Sequence, residues 1–309
     1  MNWFGVIPAI TTPFYGNLKV DHPFLAEHAG WLLGNGCAGL VLLGSLGEGA
    51  TLEHAEKIQV LQTAVRASES RKTPVIATIS SLSTHNAVML AKQAENAGCD
   101  ALMVLPPYVY ASDWREMKHH VSAVIGATSL PCMLYNNPVA YKTDFLPDQI
   151  AELAAQHANL EAIKESSADV RRVAAIRAIL SDRLTILVGV DDAIVEGVHA
   201  GAQGWVAGLA NAFPAESVEL FNLAQAGRHE DSFALYSWFL PLLRMDTVAK
   251  FVQLIKWVQS QTATGSARVR PPRLELEGTE LADARRILST ALANRPAVQS
   301  TTFPPLKEA

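Results

Sequence analysis

A lysine at the end of an apolar run is a strong candidate for a catalytic residue in this sequence. In the stretch LEAIKESS, Lys164 follows residues that predict a buried strand. Because side chains alternate along a strand, we expect Leu160, Ala162 and Lys164 to share its inner face. In a poorly hydrated site the pKa of a lysine falls from about 10.4 toward roughly 7 to 8, and the neutral amine can attack a carbonyl carbon. The alternative is a structural ion pair between Lys164 and Glu165.

Two other segments offer hydroxyl groups and backbone amides. VLLGSLGEGATL predicts a glycine-rich turn between a strand and a helix, whose N–H groups suit a carboxylate and to which Ser45 adds a hydroxyl. A tight turn with a helix cap has the same composition. MLYNNPVAY places Tyr135 at a strand end, where a phenol beside an amine could carry protons. The alternative for Tyr135 is a packed, hydrogen-bonded tyrosine.

The elements that would position these residues alternate along the chain. Eight short apolar runs, rich in Val, Ile and Leu, predict strands at residues 5–11, 38–43, 74–79, 101–105, 131–135, 160–164, 184–189 and 204–207. Segments with helical spacing lie between them, at 53–66, 85–96, 114–125, 146–157, 170–180 and 192–200. Strands that alternate with helices form parallel sheets, and eight units predict an α/β fold of the (β/α)₈ TIM-barrel type. A doubly wound open sheet would show similar alternation.

The last part of the chain lacks strand signals. Helical patterns at 231–243, 247–261 and 279–294 predict a C-terminal helical extension. We therefore divide the chain into a catalytic barrel, residues 1–226, and a C-terminal helical region, residues 227–309.

Catalytic groups of such barrels come from the carboxyl ends of the strands and the loops that follow. Polar residues or turns at those ends are Thr11, Thr12, residues 44–48, Tyr108, Tyr110, Tyr135, Asn136, Asn137, Lys164 and residues 189–192. We expect Asp191 and Asp192 to cap the next helix, and Asn137 to form a turn.

Composition excludes several classes of function. A net charge of -5 without a basic run argues against nucleic acid or an anionic membrane surface as a partner. No stretch has the length of a membrane span, and the N-terminus lacks a signal-peptide pattern, so we expect a cytoplasmic protein. The three cysteines have no ligand spacing and are interpreted as reduced core residues. Without a dinucleotide fingerprint, a P-loop or a metal-spaced cluster, we expect no cofactor and no metal.

GSLGE, YNNP and IKESS, in this order, resemble the dihydrodipicolinate synthase and N-acetylneuraminate lyase superfamily of Schiff-base aldolases and lyases. GVIPAITTPF, PPY, DDA and GLAN extend the resemblance over nearly the whole chain. It implies Lys164 as the Schiff-base former, Tyr135 as a proton shuttle and the turn of Gly44, Ser45, Leu46 and Gly47 as the carboxylate cradle. It also implies a homo-oligomer, a tetramer or a dimer. Thr11, Tyr108, Asn136 and Val206 complete the expected substrate-binding set.

Departures from the synthase pattern bear on the substrate. Ser45 and Leu46 stand where the synthase has two threonines, Val109 replaces its second tyrosine, and Ala140 replaces the arginine that binds the aldehyde partner. Tyr108 and Tyr110 are the candidates to replace that second tyrosine. Because the arginine is missing, the lysine-pathway condensation is not expected.

The segments YNNPVAY, GVDDA and RPPRL are most similar to the subgroup that deaminates 1-pyrroline-4-hydroxy-2-carboxylate. Deamination of this compound is the expected activity. In that reaction Tyr135 and Ser45 are the expected catalytic residues that move protons at C3 and at the leaving hydroxyl. Asn136, Asn137 and Tyr141 could orient that hydroxyl. The first alternative is a 2-keto-3-deoxy sugar-acid aldolase or dehydratase, followed by dihydrodipicolinate synthase. The non-enzyme alternative is a protein that only binds a 2-oxo acid, in which neither Lys164 nor Tyr135 would be required.

Overall fold

The computed structural model describes residues 1–108, 110–300 and 303, and within them eight parallel strands form one sheet. The strands are β1 (Gly5–Pro8), β2 (Leu40–Leu42), β3 (Val75–Ile79), β4 (Ala101–Val104), β5 (Cys132–Asn136), β6 (Leu160–Glu165), β7 (Thr185–Val188) and β8 (Gly204–Ala207). Each lies within one residue of a predicted run or inside it, which confirms all eight predicted strands.

The two outer strands of this sheet approach each other and nearly close it. The strand order is β1-β8-β7-β6-β5-β4-β3-β2, so β1 and β2 are the ends. Between them Ala38 N donates to Val6 O at 2.8 Å and Ile10 N to Val41 O at 2.9 Å. This closure confirms the predicted (β/α)₈ TIM barrel and excludes the open doubly wound sheet.

Helices connect the strands and continue after the last one. They are α1 (His22–Gly34), α2 (His54–Ser68), α3 (Thr84–Asn96), α4 (Trp114–Ile125), α5 (Pro138–Tyr141), α6 (Pro147–Gln156), α7 (Arg171–Leu180), α8 (Ile194–His199), α9 (Pro214–Gln225), α10 (His229–Leu243), α11 (Phe251–Gln261) and α12 (Gly278–Ala293). The predicted helix at 247–261 begins only at Phe251, because a 3₁₀ turn at Arg244–Asp246 and a bend separate α10 from α11. The C-terminal helical extension is confirmed.

Two apolar clusters build the core. The smaller lies inside the barrel and contains Met133, Ala162 and Leu187. The larger lies between the sheet and the helices and includes Ile255 and Val258 of α11. Because the larger cluster packs C-terminal helices together with the barrel, the division at residue 226 stays a prediction.

One expected face assignment on β6 is wrong. Cys132 pairs with Leu160 but Met133 pairs with Ala162, so β6 has one extra residue at this point. Such a bulge changes the direction of the side chains on one side of it, and Leu160 packs in the outer cluster while Ala162 packs in the inner one. Alternation beyond the bulge holds, and Lys164 keeps the inward direction that the sequence predicts.

The three cysteines are free thiols in the core, and none of the described helices could span a membrane. Cys37, Cys99 and Cys132 are buried and unpaired with one another, as predicted for reduced core residues. Burial raises the pKa of the Cys99 and Cys132 thiols to about 12. Within residues 1–108, 110–300 and 303, every helix is too short or too polar to cross a bilayer.

Candidate active site

Lys164 lies at the bottom of a cavity at the carboxyl ends of the strands. The cavity has a volume of about 530 Å³. Lys164 is opposite Tyr135 in the register of β5 and β6, and its Nζ lies 4.1 Å from the centre of the tyrosine ring. Gly189, which follows β7, leaves room for the lysine side chain, since a Cβ at this position would lie 2.5 Å from Lys164 Cε. The backbone of three neighbouring strands therefore fixes where the amine lies.

The electrostatic surroundings of Lys164 favour a neutral amine. Only 7 % of its surface is exposed, and burial lowers the pKa of the ammonium group, against the opposing charges of Asp246 and Asp191. The alternative ion pair with Glu165 is wrong, because the Glu165 carboxylate accepts from Ser167 N at 2.7 Å and from Asn136 Nδ2 at 3.1 Å instead. Across the part of the chain that the structure describes, Lys164 has no ion pair.

A row of hydroxyl groups lies beside the amine. Ser45 Oγ and Tyr141 OH are 2.7 Å apart, and the Tyr141 ring meets the edge of the Tyr135 ring at a centroid distance of 5.8 Å. Tyr135 OH accepts from Asn137 Nδ2 at 3.0 Å. Burial raises the pKa of both phenols, so they hold their protons at neutral pH. The three hydroxyls form a protonated set that can pass protons to and from a bound molecule.

The short helix α5 positions Tyr141. Asn137 caps it, because its Oδ1 accepts from Ala140 N at 3.0 Å, which confirms the turn interpretation of Asn137. Pro138 occupies the first helical position, where its missing N–H has no cost. The YNNP motif therefore forms the turn and short helix that place Tyr141 beside Ser45.

The glycine-rich turn after β2 presents its backbone to the cavity. Gly44, Ser45 and Leu46 line the cavity, and over the described residues the N–H groups of Ser45 and Leu46 donate to no carbonyl group. Glu48 holds the turn from behind: it has a φ of 53° and forms a buried ion pair with Lys256 at 2.7 Å. The turn thus offers two amide donors, which suit a carboxylate.

Asp191 has a different position from the one expected. It does not cap the following helix: its carboxylate accepts from Trp205 Nε1 at 2.9 Å, Gly208 N at 3.0 Å and Leu209 N at 2.8 Å. Burial raises its pKa to about 6, although these donors oppose the shift. Asp192 does not cap the helix either and lies 3.6 Å from Arg244. The indole and two amides at the end of β8 provide more donors to Asp191 than a helix end would.

Several predicted site residues lie outside the cavity. Thr11 bonds through Oγ1 to Gln259 Oε1 at 2.9 Å. Gly47 packs against the backbone of residue 10. Asn136 is on the outer face of β5, where it donates to Asp144 Oδ1 at 3.1 Å and to Glu165. These three residues hold the barrel mouth together rather than line the cavity.

The expected replacements for the second tyrosine are also elsewhere. Tyr108 packs against the Tyr141 ring at 5.8 Å but does not line the cavity, and Tyr110 is exposed. Val109 lies outside the described residues. The tyrosine whose hydroxyl is hydrogen-bonded to Ser45 is Tyr141 instead. The sequence indicated Tyr141 only as a residue near the substrate hydroxyl.

Two charged residues of the C-terminal region line the cavity and were missed. Asp246 ends the turn after α10, and Arg273 lies between α11 and α12. The sequence signal at Asp246 is an acid between two apolar helices. That signal is weak, because loops between helices are commonly charged. Val206, which the sequence did indicate, also lines the cavity.

The fold and the site define a class: a (β/α)₈ barrel enzyme with a buried, unpaired lysine at the end of the sixth strand. Residues 2–291 match the model of the dihydrodipicolinate synthetase family. The chain belongs to this family, and it is a class I lyase of the kind that forms a Schiff base through lysine.

Named relatives cover most of the chain. It is 32 % identical over 269 residues to the 4-hydroxy-tetrahydrodipicolinate synthase of Agrobacterium fabrum, covering 87 % of this chain and 91 % of that one. To the enzyme of the same name from Haloarcula marismortui it is 31 % identical, covering 94 % of each chain. Among solved structures, the synthase of Methylacidiphilum fumariolicum SolV has a TM-score of 0.90 and 27 % identity, covering 94 % of this chain and 97 % of that one.

Proposed function

We propose that Lys164 is the amine that forms the Schiff base, at C2 of a small carboxylate substrate. The observation that carries this proposal is a buried amine that lines the cavity and has no ion pair with any of the described residues. A lysine whose pKa is lowered by burial has a larger neutral fraction at pH 7, and only the neutral amine is a nucleophile. The reacting carbon would lie between the Lys164 amine and the row of hydroxyls.

The substrate carboxylate would bind at the turn after β2. The N–H groups of Ser45 and Leu46 are two donors with no acceptor in the described part of the chain. Binding there would hold C2 near Lys164 and next to the Ser45, Tyr141 and Tyr135 hydroxyls. Those hydroxyls would carry the protons that amine addition and later hydrolysis require.

The substrate that we propose is 1-pyrroline-4-hydroxy-2-carboxylate. Lys164 would add to C2 of the ring imine, and the bond between C2 and the ring nitrogen would break to leave a Schiff base. A proton would then leave C3, and the 4-hydroxyl would leave as water. Hydrolysis would then release ammonia and 2-oxoglutarate semialdehyde, so that one substrate and one net water give these two products. Only one carboxylate needs a binding site, which agrees with Ala140, an exposed neutral residue at the cavity wall.

A second candidate is the condensation that the named relatives carry out, that of a 4-hydroxy-tetrahydrodipicolinate synthase. Such a synthase joins a 2-oxo acid to an aldehyde that carries a second carboxylate, and this needs a second cation. Arg273 lines the cavity, and its guanidinium lies 4.0 Å from Glu48 Oε2. That single observation favours the condensation, together with the names of the relatives.

Ammonia release separates the two candidates. The parent and a Lys164→Ala variant would be given 1-pyrroline-4-hydroxy-2-carboxylate, and ammonia would be measured with a coupled dehydrogenase. We expect release by the parent alone. If the parent releases none and instead consumes pyruvate together with an amino-aldehyde carboxylate, the deaminase proposal is wrong and the synthase takes its place. The homo-oligomer and the cytoplasmic location stay predictions.

A further inference from the structure

Two carboxyl groups face Lys164, and their surroundings differ. Asp191 is fully buried and accepts hydrogen bonds from the Trp205 indole and from the amides of Gly208 and Leu209. Asp246 lines the cavity, and in the part of the chain that the structure describes no N–H or O–H group donates to it. The Asp191 carboxyl group is therefore occupied by hydrogen bonds within the protein, whereas the Asp246 carboxyl group is available to a bound molecule.

The backbone fixes the position of Asp246. It ends the 3₁₀ turn Arg244–Asp246, in which Met245 is buried. Its carboxyl group lies directly against Gly208, where any side chain would overlap the Asp246 oxygen. Gly208 follows β8, which is three strands from β5 and Tyr135 in the sheet order. Asp246 therefore lies at the β8 side of the barrel mouth and Tyr135 at the β5 side, with Lys164 on β6 between these strands.

We propose that Asp246 is a further catalytic residue, the acid that gives a proton to the leaving hydroxyl of the substrate. This inference rests on the proposed function and assigns to Asp246 the protonation of the leaving hydroxyl, while the hydroxyls of Ser45, Tyr141 and Tyr135 serve the proton transfers of amine addition and hydrolysis. Hydroxide is a poor leaving group, so a positioned acid is worth about 10² to 10⁴ in rate.

The step balances without a further reactant. After Lys164 has bonded to C2, the bond between C2 and the ring nitrogen breaks, which leaves a protonated imine between C2 and Lys164 and frees the ring nitrogen as an amine. That amine takes the proton from C3, and the electron pair of the C–H bond forms an enamine with C2. The enamine electrons form the C3–C4 double bond as the C4–O bond breaks. The Asp246 proton bonds to the departing oxygen, so water leaves and Asp246 becomes a carboxylate. Solvent reaching the open cavity returns a proton to it.

The charges around Asp246 agree with an acid that holds its proton. Burial raises the pKa of this carboxyl group well above 3.8, the nearby Asp191 and Asp192 raise it further, and Lys164 opposes them. A carboxylic acid kept neutral near pH 7 is what proton donation to a leaving group requires.

The test compares leaving groups in an Asp246→Asn variant. Two substrates would be used: 1-pyrroline-4-hydroxy-2-carboxylate, and its 4-chloro analogue, from which chloride leaves without a proton. We expect ammonia release from the hydroxy substrate to fall about 10² to 10⁴-fold. We expect chloride release to stay within about fivefold of the parent, because proton donation is not needed there.

Two controls keep the outcomes separate. Borohydride trapping of pyruvate should still modify Asp246→Asn, since the amine remains; loss of trapping would assign Asp246 to the state of Lys164 and overturn the proposal. Asp231→Asn, a change at an exposed acid on α10 outside the cavity lining, should keep parent activity. Equal loss with both leaving groups, or hydroxy-substrate turnover within about threefold of the parent, would also overturn it. A parent that releases neither ammonia nor chloride would instead reject the proposed function itself.

Discussion

Two lysines of this protein are buried to a similar degree and have opposite surroundings. Lys256 on α11 is 1 % exposed, and Lys164 on β6 is 7 % exposed. Lys256 Nζ contacts Glu48 Oε1 at 2.7 Å and Thr12 O at 2.9 Å, whereas Lys164 has the Tyr135 ring face and an open cavity. Burial lowers the pKa of both. The comparison indicates that burial alone does not make a nucleophile: a reactive amine must also be free of an ion pair and lie beside an open space.

The same contrast separates stability from activity. A buried ion pair costs much desolvation and is sensitive to loss of one partner. Lys256 and Glu48 tie the turn after β2 to a C-terminal helix, so they keep the carboxylate cradle in place. Lys164 forms no ion pair of this kind with any of the described residues. Changes at the two lysines should therefore affect different measurements.

The largest expected effect is on turnover when Lys164 is replaced. In Lys164→Ala we expect the rate to fall about 10⁴-fold or more, because no other lysine among the described residues lines the cavity. Steady-state kinetics measure this. The thermal midpoint should stay within a few degrees of the parent, since the side chain makes no ion pair among the described residues. A variant with a tenth of the parent rate would contradict the assignment.

The next effect is on stability, at the other lysine. We expect Lys256→Met to lower the free energy of unfolding by about 3 to 5 kcal/mol, because the buried Glu48 loses its hydrogen-bonded charge partner and keeps only Arg273, 4.0 Å away. Urea unfolding followed by circular dichroism measures this. The double variant Lys256→Met/Glu48→Gln should recover part of the loss. If Lys256→Met is as stable as the parent, Glu48 does not depend on this pair.

A smaller effect on turnover is expected at the row of hydroxyls. Tyr141→Phe should reduce kcat about 10 to 10²-fold, since it removes the proton that Ser45 and Tyr141 share. Ser45→Ala should cost a similar factor, and the double variant should cost little more than either alone, because the two act as one unit. Fully additive losses would show that the two hydroxyls act independently.

The smallest effect is a shift of the pH profile. The rate of imine formation should rise with pH through the pKa of Lys164, which lies below the ordinary 10.5, because only the neutral amine reacts. Once Asp246 has lost its own proton at higher pH, its negative charge raises the pKa of Lys164, so Asp246→Asn should move the rising limb to lower pH. Stopped-flow measurements of pyruvate binding give the profile. A limb that moves to higher pH would contradict the sign of this interaction.

The sequence predicted the barrel well because its signal is repeated. Eight apolar runs of regular spacing leave few alternatives, and β6 shows why the details are less secure. A one-residue bulge moves Leu160 to the outer face without any glycine or proline to announce it. Lys164 was still placed correctly, because alternation restarts after the bulge.

The site was predictable only where its residues lie at the ends of strands. Ser45 follows β2, and Tyr135 and Lys164 lie near the carboxyl ends of β5 and β6. Their positions at the barrel mouth therefore follow from the fold. Asp246 and Arg273 reach the cavity through contacts between the C-terminal helices and the barrel, and no local pattern encodes such contacts. Asn136 shows the converse, since a polar residue at a strand end was expected in the site and faces Asp144 instead.

The most direct test of the central claim is to locate the trapped imine. The parent would be treated with pyruvate and borohydride, digested, and the modified lysine identified by mass spectrometry. The account predicts one reduced pyruvyl group on Lys164 and none on Lys256, with no adduct at all in Lys164→Ala. An adduct on Lys256, or one that persists in Lys164→Ala, would contradict it.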